Sequence, residues 1–238
     1  MGEQVFKPVE EFRDIVSHLK KLMEANMEMG LEAPTLSPST LDYLNSRASG
    51  FPSLEDLRKY IGDCRRCKLG YGRTNLVFGE GSAQARLVFV GEGPGRAEDE
   101  VGLPFVGEAG RLLTKIVNAM GLSREEVYIC NVVKCRPPKN RDPEEDEIET
   151  CLPFLKEQLN LIRPHVICTL GRIAAQAFLG KEFKITRERG RWHSFMDIPL
   201  MPTYHPAYLL RNPSAKRQVW DDIQKIMKHM GLEAKKDA

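Results

Sequence analysis

Apolar residues recur along this chain at two spacings. Four short runs, at 86–90, 127–131, 165–170 and 198–203, are almost continuously apolar and rich in Val, Ile and Leu, as buried strands are. The segments between them carry a helical spacing. Residues 108–120 place Leu112, Leu113, Ile116, Val117 and Met120 on one face and stop at Gly121. Asp142-Pro143-Glu144-Glu145 predicts the next helix start: an N-cap, a proline at the first helical position, and acidic residues at the positive helix end. A last helix is predicted over 213–230, with Val219, Trp220, Ile223 and Ile226 inward. Near the start, residues 8–30 read as a helix through Phe12, Ile15, Val16, Leu19, Leu22 and Met23, ending at Gly30. The Pro/Ser-rich APTLSPST follows as a linker.

Residues 1–50 are therefore expected to form a helical extension and linker, its apolar stripe packing on the main domain, which spans 51–238. Alternation of strand and helix predicts an α/β fold: three αβα layers around a central four-stranded, mainly parallel sheet. Ligands of such sheets bind beyond the carboxyl ends of the strands. Three segments fall there: GEGPG after the first strand, Asn131 at the second, and His205 after the fourth.

Composition adds limits. With 238 residues, 42% hydrophobic and 29% charged, the chain has ordinary globular composition and length for one main domain plus an appendage. No apolar stretch reaches the length of a membrane helix. The start is too acidic for a secretory signal, and Phe6 stands where a myristoylation signal carries Ser or Thr. A cytoplasmic protein is expected. The net charge of +2 hides a gradient: residues 1–50 hold 5 Lys/Arg against 8 Asp/Glu, whereas 181–217 hold 8 basic and 3 acidic residues. A basic face suits a polyanion, although on charge alone a solvated surface is the preferred reading.

The GEGPG turn fails as a phosphate cradle. Counting from Gly91, the third glycine of a dinucleotide fingerprint is replaced by Arg96; Pro94 removes a donor and Glu92 would repel a pyrophosphate. What remains is a turn whose glycines let backbone N–H groups approach a ligand closely, or a plain strand-to-loop turn. The six cysteines, without an export signal, point to ligation rather than disulfides. Cys64 and Cys67 form a C-x₂-C pair, and Cys135 and Cys151 are separated by 15 intervening residues; by spacing alone, zinc and an iron–sulfur cluster are equally served. Cys130 and Cys168 lie in strand runs and read as packing residues. In YHPAYLLRNPSAKR, His205 precedes Leu209-Leu210 and then Arg211, Lys216 and Arg217. The leucine pair would ordinarily be core, but this basic flank allows an apolar wedge pushed into a nucleic-acid groove.

Together these pieces resemble the family 4 uracil-DNA glycosylases, the iron–sulfur type. The resemblance covers about residues 55–230 and rests on GEGPG (91–95), GLPFVGEAG (102–110), NVVKCRPPKNRDP (131–143) and HPAYLLRNP (205–213), in family order. It implies hydrolysis of the uracil–deoxyribose bond in DNA after base flipping, leaving an abasic site. By the same resemblance Phe105 stacks on the base and Asn131 reads its edge. His205 and backbone N–H groups around Gly91, Glu92 and Gly93 stabilise the departing uracil. Glu92 either positions water or shapes the loop, because the aspartate of better-known superfamily members is replaced by Gly93. Leu209, Arg211, Lys216 and Arg217 are the implied DNA contacts. Cys64, Cys67, Cys135 and Cys151 are the implied ligands of a structural [4Fe–4S] cluster. No nucleotide cofactor or membrane partner is expected, and a monomer is. A related group traps the abasic sugar through a histidine in a KRRIH-type loop; 185–190 lacks one and His193 lies just beyond, so turnover is expected. The alternatives are a metal-stabilised nucleic-acid-binding module without turnover and a nucleotide-dependent oxidoreductase, the latter disfavoured by the failed fingerprint.

Overall fold

The computed structural model describes residues 50–233 together with His18, Lys21 and Ala25, which are helical. The rest of the helix expected over 8–30, and the linker after it, lie outside the described residues. The chain divides into units Met1–Ala48 and Ser49–Ala238, of which the second is described below.

Six strands form one sheet: β1 (Glu80–Gly81), β2 (Leu87–Gly91), β3 (Tyr128–Asn131), β4 (Val166–Leu170), β5 (His193–Phe195) and β6 (Ile198–Thr203), in the order β1-β3-β2-β4-β6-β5. The inner four, β3-β2-β4-β6, are parallel and are the four apolar runs of the sequence. Every residue of β2, β3 and β4 is buried, which explains why they read as continuous rather than alternating runs. The sheet is thus mixed, because two short antiparallel strands flank the predicted four. β5 and β6 are joined by Met196-Asp197, both at positive φ (52° and 60°), a tight hairpin turn built without glycine.

The helices are α1 (Leu54–Ile61), α2 (Arg96–Val101), α3 (Glu108–Ala119), α4 (Glu145–Ile162), α5 (Arg172–Leu179), α6 (Ile185–Glu188), α7 (Pro206–Arg211) and α8 (Lys216–Met230). Leu87, Phe89, Ile129, Cys168 and Met201 point to one sheet face, where Leu113 and Val117 of α3 and Val219, Ile223 and Ile226 of α8 cover them. Val88, Val90, Cys130, Ile167 and Leu200 point to the other, beneath Leu155 and Leu159 of α4 and Ala174 of α5. Cys130 and Cys168 are therefore packing residues, as their strand positions suggest.

Two helix starts differ from expectation. α4 begins at Glu145 with Glu144 as its N-cap, not at Asp142 and Pro143. The reason is a capping box: the buried Glu147 carboxylate accepts from the Glu144 N–H at 2.7 Å and from Arg141, while Asp142 pairs with Arg172 at 2.5 Å. The helix expected over 213–230 starts at Lys216, after a 3₁₀ turn at Pro213–Ala215.

Candidate active site

The carboxyl ends of β2, β3 and β6 open into a cavity of about 410 Å³, within the range of small-molecule sites. Glu92, Gly93, Phe105, Asn131, His205 and Arg211 line it together, so residues spread over more than a hundred positions converge.

The floor is set by register. Gly91 on β2 pairs with Asn131 on β3. A Cβ at Gly91 would lie 2.6 Å from Phe105 Cζ and would also overlap Asn131 Oδ1, so only glycine lets amide and ring approach this closely. Asn131 is 1% exposed, and its Oδ1 has no hydrogen-bond partner among the described residues. An orphaned buried acceptor is costly unless a ligand supplies the donor, and Asn131 is a residue of the cavity wall. Behind it, the buried Lys134 ammonium donates to the Asn131 main-chain carbonyl at 2.7 Å and to Gln158 at 2.5 Å.

Phe105 takes a left-handed conformation (φ 53°), which costs an aromatic residue free energy and must be imposed by its surroundings. Three features impose it. Arg124 donates to the carbonyls of Pro104 (2.9 Å) and Phe105 (3.2 Å). The Glu98 carboxylate accepts from Val106 N–H (3.0 Å) and Gly107 N–H (2.9 Å). Gly110 leaves room for the Phe105 main chain. Neither Arg124 nor Glu98 stood out in the sequence; a charged residue holding a distant backbone carries no local spacing signal.

His205 caps α7. Its Nδ1 accepts the Ala207 N–H at 3.0 Å, so the neutral ring carries its proton on Nε2 and has that one donor to offer. Burial pushes its pKa down to about 4, with Glu98 opposing and Arg211 adding, so the ring is neutral at physiological pH. The Phe105 and His205 rings stand 5.5 Å apart at 29°. Glu92 shows the opposite shift. Burial pushes its carboxyl up to about 7, the Asp142 carboxylate adding and the Arg172 guanidinium opposing. Gly93 has no room for a side chain, since a Cβ would lie 2.8 Å from Val133 Cγ2.

Cys64, Cys67, Cys135 and Cys151 line one small cavity between α1 and α4. Arg66 donates to Cys64 Sγ (3.3 Å), Arg73 to Cys135 Sγ (3.4 Å) and the Lys134 N–H to Cys151 Sγ (3.4 Å). Such donors suit sulfurs carrying negative charge. Burial holds the Cys135 thiol up at about 12, so it becomes a thiolate at neutral pH only beside a strong cation. Among the described residues no three Cys, His, Asp or Glu side chains converge on a point that one metal ion could occupy.

The basic flank is divided by the structure. Arg211 lines the cavity, and Lys216 and Arg217 are exposed on the first turn of α8. Leu209 is a correction: it is 1% exposed and packs in the core, whereas Leu210 is 43% exposed. One helical step separates the two, and the sequence pair alone does not say which faces inward. Tyr208, also a lining residue, was not singled out in the sequence. His193 lies on the edge strand β5, its ring 5.6 Å from Phe183, and is not among the cavity residues. No helix among the described residues is long and apolar enough to cross a membrane.

Comparison with known proteins agrees with this geometry. Residues 78–224 match the family model of the Uracil DNA glycosylase superfamily. The chain is 47% identical over 183 residues to the Type-4 uracil-DNA glycosylase of Sulfurisphaera tokodaii, covering 73% of this chain and 83% of that protein. It is 48% identical over 176 residues to the Type-4 uracil-DNA glycosylase of Thermotoga maritima, covering 72% and 92%. A Type-5 uracil-DNA glycosylase of Pyrobaculum aerophilum is more distant, at 28% over 171 residues. A parallel sheet ending in a glycine turn, a buried asparagine and a neutral histidine, matched along these lengths, leads to one assignment: the chain belongs to the uracil DNA glycosylase superfamily.

Proposed function

We propose that this protein removes uracil from DNA by hydrolysing the N-glycosidic bond between the base and deoxyribose, leaving an abasic site. The observation that carries the reading is the unpartnered Oδ1 of Asn131 at the cavity floor. A flipped uracil supplies what it lacks: uracil N3–H donates to Oδ1, and the Asn131 amide donates to O4. Cytosine presents the reverse pair, so the amide rejects it as long as its neighbours keep it from flipping. Phe105 stacks on the base, and its imposed backbone fixes the ring before the base arrives.

As the bond breaks, charge builds on uracil O2. The His205 Nε2–H meets it as a neutral donor with no proton to lose first, and the Gly91–Gly93 backbone contributes further donors. Leaving-group stabilisation is the main source of rate. Glu92, ionised, orients the water that completes hydrolysis. The abasic DNA is released without a covalent link to the protein, since His193 is not among the cavity residues. Arg211, Lys216 and Arg217 neutralise phosphates, and the exposed Leu210, in place of Leu209, enters the groove vacated by the base. Cys64, Cys67, Cys135 and Cys151 would hold a [4Fe–4S] cluster, whose contribution is a covalent cross-link between the N-terminal part of the domain and the loop after Asn131.

The test is base release from oligonucleotides carrying uracil, hypoxanthine, xanthine or thymine. Free uracil is expected, and its absence would overturn the activity. Two further results follow from the geometry. With its pKa near 7, Glu92 gives the wild-type rate an acid limb that rises through about pH 7. His205, neutral above about pH 4, adds nothing there. Glu92→Gln flattens that limb and lowers the plateau about 10²-fold, the low side of what a proton-accepting group contributes; a limb that persists in the variant removes Glu92 from the water step. For the cysteines, purified protein is expected to contain iron and acid-labile sulfide in equal amounts, and Cys135→Ser to lose the visible absorbance. Stoichiometric zinc in place of iron would refute the cluster.

A further inference from the structure

β6 runs directly into His205, and its last residues are gripped by a largely buried ion pair that the chemistry above does not use. The Arg189 guanidinium, at the end of α6, spans both oxygens of Asp222 on α8, at 2.9 Å from Nε and 2.6 Å from Nη2. Asp222 is buried, and it also accepts the Thr203 hydroxyl at 2.7 Å. Arg189 stacks its guanidinium 5.2 Å from the centre of the Tyr204 ring. Gly190 donates its N–H to the Pro202 carbonyl at 2.9 Å, and its own carbonyl accepts from Lys225 at 2.7 Å. Pro202, Thr203 and Tyr204 are thus each held from the α6–α8 side. Gly190 is fixed there too: it sits at φ 71°, and a Cβ would lie 3.1 Å from Asp222 Cγ. From the other side Gly171 donates to the Thr203 carbonyl at 2.9 Å, and a Cβ on it would stand 3.0 Å from His205 Cβ.

A buried ion pair is a poor source of stability, because desolvation offsets most of the attraction, and apolar residues of similar volume serve the fold as well. Its bidentate, directional geometry does supply position. We propose that Arg189 and Asp222 form a positioning pair that clamps the end of β6 and so aims the His205 imidazole into the cavity. The proposal rests on the reading of His205 as the donor to uracil. The pair touches no cavity-lining role itself; it acts through Thr203 and Tyr204.

The test uses the full chain carrying Arg189→Met with Asp222→Leu, which replaces the pair by apolar volume, and Arg189→Lys, which keeps the charge but not the fork. The double variant is expected to melt within several degrees of wild type, the cost of leaving the Thr203 hydroxyl unpaired, yet to lose about 10- to 100-fold in kcat, as a displaced catalytic group does, with KM nearly unchanged. Arg189→Lys falls between. In a His205→Ala background the same double replacement is expected to cost nothing further, because there is no imidazole left to aim. Independently of turnover, the ¹⁵N resonances of the His205 ring are expected to shift in the double variant. Unmoved resonances, or a further loss of rate in the His205→Ala background equal to that in wild type, would overturn the clamp. A wild-type protein that releases no uracil while the resonances still shift would sink the functional reading instead and leave the clamp standing.

Discussion

His205→Ala is expected to lower kcat for uracil release by about 10²- to 10³-fold, the usual cost of removing one donor aimed at a developing anion. KM should change little, since a neutral N–H to a ground-state carbonyl is a modest interaction that strengthens only as O2 gains charge. The physical basis is the fixed tautomer. The Ala207 N–H occupies Nδ1, so the proton stands on Nε2, and burial keeps the ring from taking a second one until about pH 4. The same shift has a signature in stability. The folded ring binds its proton less readily than the unfolded one, so wild-type stability declines as pH falls from about 6.5 to about 4 and then levels. The alanine variant lacks this component, so the gap between the two melting curves changes across that window. Single-turnover base release and melting against pH check both parts. A rate within about threefold of wild type would place the leaving-group donor elsewhere.

How much of this was legible in the chain depends on the range of the interaction. The four inner strands are short apolar runs buried on both faces, so composition alone marks them. The helix over 108–120 shows through its periodicity and its stop at Gly121. The edge strands do not: β1 has two residues, and β5 turns into β6 through Met196-Asp197, without the glycine that usually marks such a turn. α7 spans only six residues, too few for a period, which is why Leu209 and Leu210 could not be told apart. Asn131 and His205 were found at strand ends, and Phe105 through the GLPFVGEAG segment that carries the family resemblance. Arg124, Glu98 and the Arg189–Asp222 pair were not, because each acts on backbone or side chains that only the fold brings near. The four cysteines show the same division. Their spacing admits zinc and cluster alike, and what the fold adds is that the four, spread over 88 positions, line one small cavity.

Asn131→Ala is the second large effect, and it separates function from folding. In the complex, uracil N3–H and O4 would both face a methyl group in a dry pocket. Leaving two such groups unpaired costs about 1–3 kcal/mol each, so kcat/KM is expected to fall about 10²- to 10³-fold at about 1.4 kcal/mol per factor of ten. Other buried asparagines usually carry the fold's own hydrogen bonds, and losing them lowers the melting temperature. Here Oδ1 has no such bond to lose. What the strand needs from residue 131 is its main chain, whose carbonyl is held by Lys134 and whose neighbour Val132 donates to the Gly91 carbonyl at 2.9 Å. The alanine variant keeps both. Its melting temperature should therefore match or exceed that of wild type, as expected when a polar group is buried for a ligand rather than for the fold. A variant that loses several degrees of stability in step with its activity would mean that Asn131 holds β3 together, and base reading would have to be sought in another residue of the cavity. An active site that is stabilised by its own inactivation has kept Oδ1 unpaired for the substrate.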